Sequence, residues 1–412
     1  MKPILHLATA LAVAMTMPRS TLAQVITDPT DPKGGPGTVA NADYVFNDQK
    51  LYLSDGYYNG ADKFQMTPRQ LFYSLDLTAP WPTSKPAWTK LVRQDKLYAG
   101  RMGLSKDGSV IYFFTPDSVQ PYNVQKAEWG VVTNFTAAEF GTSLVATDTD
   151  SGKIIGVRHY VPTYPEGPRI IKDAQIIFSE FDPKDNSIVK TALNVTEFTE
   201  EVAYSSARKS LFFAATGPDS NLYEYNLATK NFSAVIGKGQ VPGYRKGACF
   251  ASANGGKTLI LAGGQKVYQP PTDNIIGNPG PTPMLTDVSV FDVETSTWTK
   301  VTETPNGYYQ AACAVSGDSL ILYGGFDKLY PIPQPNIHND NVPAIFNLKD
   351  KVWVANYTPS AVPPPPGNSG SGNNGSGSSG SGGGSGSGAI ALSPLLLGTM
   401  LTLFGSSVAA FL

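Results

Sequence analysis

Leu259-Ile260-Leu261-Ala262-Gly263-Gly264 is matched further along by Leu320-Ile321-Leu322-Tyr323-Gly324-Gly325. Four apolar residues running into two glycines read as a buried strand, stopped where the backbone needs positive φ or a neighbour approaches closely. Each run follows another apolar strand across a tight turn. Gly247–Ser252 precedes Asn254-Gly255-Gly256, and Ala311–Ser316 precedes Gly317-Asp318. Each is followed by a third strand of alternating apolar residues ending at Asp292 or Asn347, and six residues later by Trp298 or Trp353.

Working outward, the same hairpin appears four more times: Ala42–Asn47 with Lys50–Leu53, Arg101–Ser105 with Ser109–Thr115, Thr142–Thr147 with Lys153–Val157, and Val202–Ser206 with Ser210–Ala215. Turn chemistry such as Lys106-Asp107-Gly108 and Asp150-Ser151-Gly152 joins them. Third strands end at Asp76, Asn123, Asp182 and Asn226, and Trp129, Ile188 and Phe232 hold the sixth place after the endpoint. The first unit departs, with Trp88 twelve residues on. A period near 50 with about four strands per unit specifies an all-β fold, a six-bladed β-propeller of four-stranded antiparallel sheets. In that fold the recurring Asp/Asn endpoints and aromatics are structural.

The last two units resemble the kelch repeat, on Gly263-Gly264 with Phe291, Asp292 and Trp298, and Gly324-Gly325 with Phe346, Asn347 and Trp353. The other four depart: Ser54-Asp55-Gly56 and Thr216-Gly217 stand where the pair belongs in the first and fourth, and the second and third have none. The resemblance implies one propeller over residues 38–358, after an N-terminal segment 24–37. It is similar, at a distance, to the central domain of galactose oxidase, which implies an alternative: a copper oxidase acting on sugars or aldehydes. Such a site needs two imidazoles and a cysteine linked to tyrosine. After the leader only His159 and His338 remain, in loops of different blades. No enzyme activity, metal or cofactor is therefore expected.

The chain has 31 Lys+Arg against 33 Asp+Glu and no basic cluster, which argues against nucleic acid. Cys249 and Cys313 hold matching places on adjacent inner strands, and either a disulfide or two buried thiols fits them.

Both ends of the chain read as addresses. Lys2, an apolar run Ile4–Met17 and Thr21-Leu22-Ala23 predict a signal peptide over 1–23. Pro363–Pro366 and then only Gly, Ser and Asn to Gly388 predict a flexible linker over 359–388. The uncharged stretch 389–412 is the tail of a glycosylphosphatidylinositol (GPI) attachment signal, with Asn374 as the attachment residue, or a transmembrane tail. Export to the outer face of the plasma membrane or the cell wall follows from these signals. Asn134, Asn194, Asn231 and Asn356 each stand in an N-x-S/T triplet, the acceptor pattern for N-glycans.

Connections between second and third strands share one face with the connections between blades. Four are long and aromatic, and they supply Tyr57, Tyr58, Arg158, Tyr160, Tyr164, Arg169, Tyr268 and Tyr330 as candidate ligand-binding residues. Tyr308 and Tyr309 are expected to approach the same face. A flat ring with a hydroxyl suits stacking on a sugar or anchoring a protein. The expected partner is a glycan or protein at the cell surface, with the membrane reached through the lipid anchor; a structural wall protein is the other alternative. The sequence does not give the oligomeric state.

Overall fold

The computed structural model describes residues 26–27, 35–36, 39–47, 49–59, 66–94, 101–115, 117–135, 140, 144–160, 175–195, 199–215, 222–266, 284–328, 336–337 and 342–359. The leader 1–23, Asn374, the Gly/Ser-rich linker and the tail 389–412 lie outside the described residues.

Six sheets, each of four consecutive antiparallel strands, form a six-bladed β-propeller. Blade 1 runs Asp43–Phe46, Lys50–Ser54, Phe72–Asp76 and Trp88–Lys90. The innermost strands of blades 2 to 6 are Arg101–Leu104, Leu144–Thr147, Thr199–Ser205, Cys249–Ala253 and Ala312–Ser316. Each lies beside the next, and Ala312–Ser316 returns beside Asp43–Phe46, so the ring is closed.

The apolar core is divided into wedges between blades, as stacked sheets require. One wedge sets Val45, Tyr52 and Phe72 of blade 1 against Met102, Phe113 and Tyr122 of blade 2. The recurrent aromatics fill these wedges: the Trp129 ring centroid lies 5.9 Å from that of Phe72 one blade back, and Trp88 lies 4.9 Å from Tyr323. Burying rings of this size contributes on the order of 2–3 kcal/mol each, so the repeat spacing is itself a packing constraint.

The Asp/Asn endpoints cap the turn between third and fourth strands. The side-chain oxygen of Asn123 accepts the Lys126 N–H (2.8 Å), Asn226 those of Ala228 and Thr229, Asp292 that of Thr295 and Asn347 those of Lys349 and Asp350. A short acceptor aimed at its own following amides is what an Asx turn needs. Four residues past each endpoint the chain turns left-handed, at Ala127, Asn186, Lys230, Ser296 and Lys351, and swings back into the fourth strand.

Blade 1 lacks that residue because its turn is an excursion with a purpose. Trp81–Pro82, inserted there, pairs with Asn356–Tyr357, which follows the last blade. Tyr357 stacks on Trp81 with centroids 5.0 Å apart and donates to the Leu77 carbonyl (2.9 Å). Ser316 meets the same hydroxyl at 3.0 Å. Among the described residues no blade is shared between the N- and C-terminal parts of the chain; this two-residue latch joins last blade to first.

The glycine pairs do the same work from the opposite face. The Gly264 N–H donates to the Tyr308 carbonyl (2.6 Å), and a Cβ on Gly263 would stand 2.5 Å from that oxygen. One seam on, the Gly325 N–H donates to the Val39 carbonyl (2.8 Å) just ahead of blade 1. In blade 1 itself Asp55 (φ 59°) and Gly56 (φ 113°) occupy the place of the pair. Aspartate tolerates the left-handed region better than most residues, so the sequence departure keeps the backbone shape.

Candidate functional site

The alternation of strands puts the tight turns on one face and the long connections on the other. On that second face two long loops fold into hairpins, Tyr57–Asn59 with Met66–Gln70 and Phe326–Lys328 with Asn336–Ile337. They come from blades 1 and 6 and stand side by side, with Ile26–Thr27 added in parallel to the first.

Tyr57 and Tyr58 lie on the first of these hairpins, and Arg158, exposed, and Tyr160 lie on blade 3, two blades along the ring. Tyr164, Arg169, Tyr268, Tyr330 and His338 lie outside the described residues. Tyr308 and Tyr309 reach this face as expected but leave little of their rings open to it. They are 5% and 6% exposed, with Tyr309 against Phe326 and the Tyr308 carbonyl held by the glycine pair, so packing between blades consumes both rings.

A cleft of about 430 Å³ opens on the same face, in blade 5. Its walls are the chain entering the blade (Gln240 to Arg245), the end of the second-to-third-strand loop (Met284 to Asp287) and the end of the fourth strand, with Lys300 and Glu303. The floor is rigid. Arg245, 2% exposed, forms a two-pronged ion pair with Asp287 (2.9 Å on each arm) and donates to the carbonyls of Gly243 and Gly263 (3.0 Å each). A planar fork satisfied on every side fixes geometry. At the rim Lys300 donates to Glu303 (2.8 Å), which lowers the Glu303 carboxyl pKa and raises that of the ammonium. Val241 and Met284 add an apolar surface beside these groups.

A second charged group sits at the seam between blades 1 and 2. Arg101 donates to Asp43 (2.6 Å), and Arg93 pairs with Asp55. Burial pushes the Asp55 carboxyl up to about 7; the Arg93 charge opposes this and the Asp43 charge adds to it.

The fold is shared with a known propeller. The solved structure of YjhT matches 78% of this chain and 98% of its own, with a TM-score of 0.50 and 14% identity. At that identity the likeness shows the fold alone. No family model matches the sequence, and no curated protein does.

Both charged groups escape a reading of the sequence because Arg245 and Asp287 are 42 residues apart and Arg101 and Asp43 are 58 apart. One signal was present: Arg245 follows Gly243-Tyr244 as Tyr309 follows Gly307-Tyr308, so a charge replaces a ring at a matching place. Among the described residues no group of three or more His, Cys, Asp or Glu is placed to hold a metal ion. The chain's two cysteines are bonded to each other across the seam of blades 5 and 6, with Cα atoms 5.8 Å apart.

Proposed function

We propose that this chain is an exported, kelch-like propeller, tethered at the cell surface by a lipid anchor, that binds a glycan on its long-loop face with the blade 5 cleft as the principal subsite. The observation that carries the reading is the cleft: about 430 Å³, within the usual range of roughly 300–1,000 Å³ for ligand sites, on a floor held by the Arg245–Asp287 ion pair. Its three walls together offer an ammonium, a carboxylate, an amide and a hydroxyl, the mixed donors and acceptors that a polyhydroxylated ring matches. Rigid floors lower the ordering cost of binding. Export is supported by the leader-like 1–23, by the bonded cysteines and by the exposure of all four sequon asparagines.

The copper-oxidase alternative fits less well, because it needs a cysteine free to link a tyrosine and this chain has none beyond the bonded pair. The reading is tested by presenting the full chain on cells to a glycan array. Lys300→Ala and Glu303→Gln are expected to weaken the selected glycan by about tenfold, the loss of one charge-assisted hydrogen bond, while Arg158→Ala on blade 3 leaves it unchanged. Binding that ignores the cleft variants, or falls only with Arg158→Ala, overturns the site. Release by phosphatidylinositol-specific phospholipase tests the anchor.

A further inference from the structure

Every blade of a propeller ends in an outermost strand whose far edge has no partner within its own sheet. Such an edge offers amides and carbonyls to any other strand and is an aggregation hazard unless blunted. The six blades solve this differently. Blade 5 has the outer strand Thr297–Glu303, and Lys238–Gly239 pairs in parallel along its start, with the Gln240 N–H continuing to the Trp298 carbonyl (3.1 Å). Blade 1 has an outer strand of three residues that ends in an exposed lysine, Lys90.

The other four blades have no such covering segment among the described residues, and each has a sequon on or close beside its outer strand. In blade 2 the outer strand comes in two pieces, Glu128–Trp129 and Thr133–Asn134, both paired to the third strand, and Asn134 ends the second piece. In blade 3 Asn194 ends the outer strand Ser187–Asn194, at eight residues the longest of the six, on which Val189 is 55% exposed. In blade 4 Asn231 immediately precedes the outer strand Phe232–Val235; in blade 6 Asn356 lies two residues beyond Val352–Val354, on the latch strand paired with Trp81–Pro82 rather than on the outer strand itself. All four asparagines are exposed. None lies on a first or second strand.

We propose that Asn134, Asn194, Asn231 and Asn356 are N-glycosylated and that the glycans on Asn134, Asn194 and Asn231 are edge guards, standing where blades 2, 3 and 4 would otherwise pair with strands of other molecules. This rests on the exported reading, since the donor, a polyprenyl-diphosphate-linked oligosaccharide, and its transferase belong to the secretory pathway. In the transfer the asparagine Nδ2 forms a bond to C1 of the sugar, the bond from C1 to the diphosphate oxygen breaks, the lipid diphosphate leaves, and one amide proton passes to the enzyme's base. A bulky, solvated group at an open edge blocks strand addition sterically, as charge or proline does elsewhere. Asn194 is in register with Gln175 and, one strand further in, Tyr160, so its glycan stands at the rim of the long-loop face on blade 3, while none of the four asparagines lines the blade 5 cleft.

The test expresses the full chain in a eukaryotic secretory host. Peptide-N-glycosidase digestion in heavy-oxygen water marks each occupied asparagine, and light scattering follows self-association of the folded protein before and after enzymatic removal of the sugars. A variant carrying Asn→Gln at all four positions gives a second comparison; the enzymatic route covers the case in which that variant does not fold. The expected result is occupancy at the four sites and association at least about tenfold faster once the sugars are gone, with circular dichroism unchanged. Export with bare asparagines, or a stripped protein as monodisperse as its parent, overturns the inference and leaves the exported reading standing. A chain retained in the cytosol overturns both.

Discussion

The seam between blades 5 and 6 and the seam between blades 6 and 1 use the same backbone device and differ in what backs it. In both, a glycine pair at the end of a second strand takes a carbonyl of the next blade, Tyr308 in one case and Val39 in the other. The 5–6 seam adds a covalent bond between buried inner strands, Cys249 to Cys313. The 6–1 seam has no bond of that kind; Tyr44, across it, places its hydroxyl 3.5 Å from the Cys313 sulfur. It relies instead on the stack and hydrogen bonds of Tyr357 with Trp81, Leu77 and Ser316. Ring closure, the step with the longest loop to close, is thus left to side-chain packing, and its contribution is expected to exceed that of the bond beside it.

That ordering can be broken. Tyr357→Ala removes a buried ring and two hydrogen bonds at the latch and is expected to cost about 3–5 kcal/mol in chemical unfolding. Cys249→Ala with Cys313→Ala is expected to cost about 2–4 kcal/mol. A double replacement more damaging than the Tyr357 variant would reverse the assignment of which seam holds the ring.

A third seam sharpens the contrast through pH. The native Asp55 carboxyl, raised to about 7 chiefly by burial, binds a proton more tightly than it does in the unfolded chain. Its stabilising contribution is therefore full below about pH 4 and is lost as pH rises through 7, a fall on the order of 4 kcal/mol that Asp55→Asn should abolish. Parallel slopes in parent and variant would dissociate this residue from the effect. The smallest difference separates two left-handed glycines. Gly324→Ala drives a methyl into the Val39 carbonyl, whereas Gly255→Ala meets open space, so the first should cost about 1–2 kcal/mol more than the second.

The blades were legible in the sequence because their determinants are local. Turn residues such as Lys106-Asp107-Gly108 lie beside the strands they join, and an endpoint such as Asn347 caps amides two and three residues on. Closure was not legible, since Trp81 and Tyr357 meet across almost the whole propeller. Yet the irregular offset of Trp88 was the trace of the inserted Trp81–Pro82 latch. The candidate site was less visible still. Tyrosines on the entering connections read as ligand platforms, but Tyr308 and Tyr309 are consumed between blades. The cleft depends on Arg245 and Asp287, whose partnership is set by register between distant strands.

The latch has a mechanical meaning. Among the described residues Asn356–Tyr357 is the last paired stretch ahead of the Gly/Ser-rich segment, so tension on that segment bears on a two-residue strand at the ring's own clasp. Peeling would begin at blade 6 and meet the Cys249–Cys313 cross-link one seam back, which would hold that blade to blade 5 and let the circle close again when the load is released.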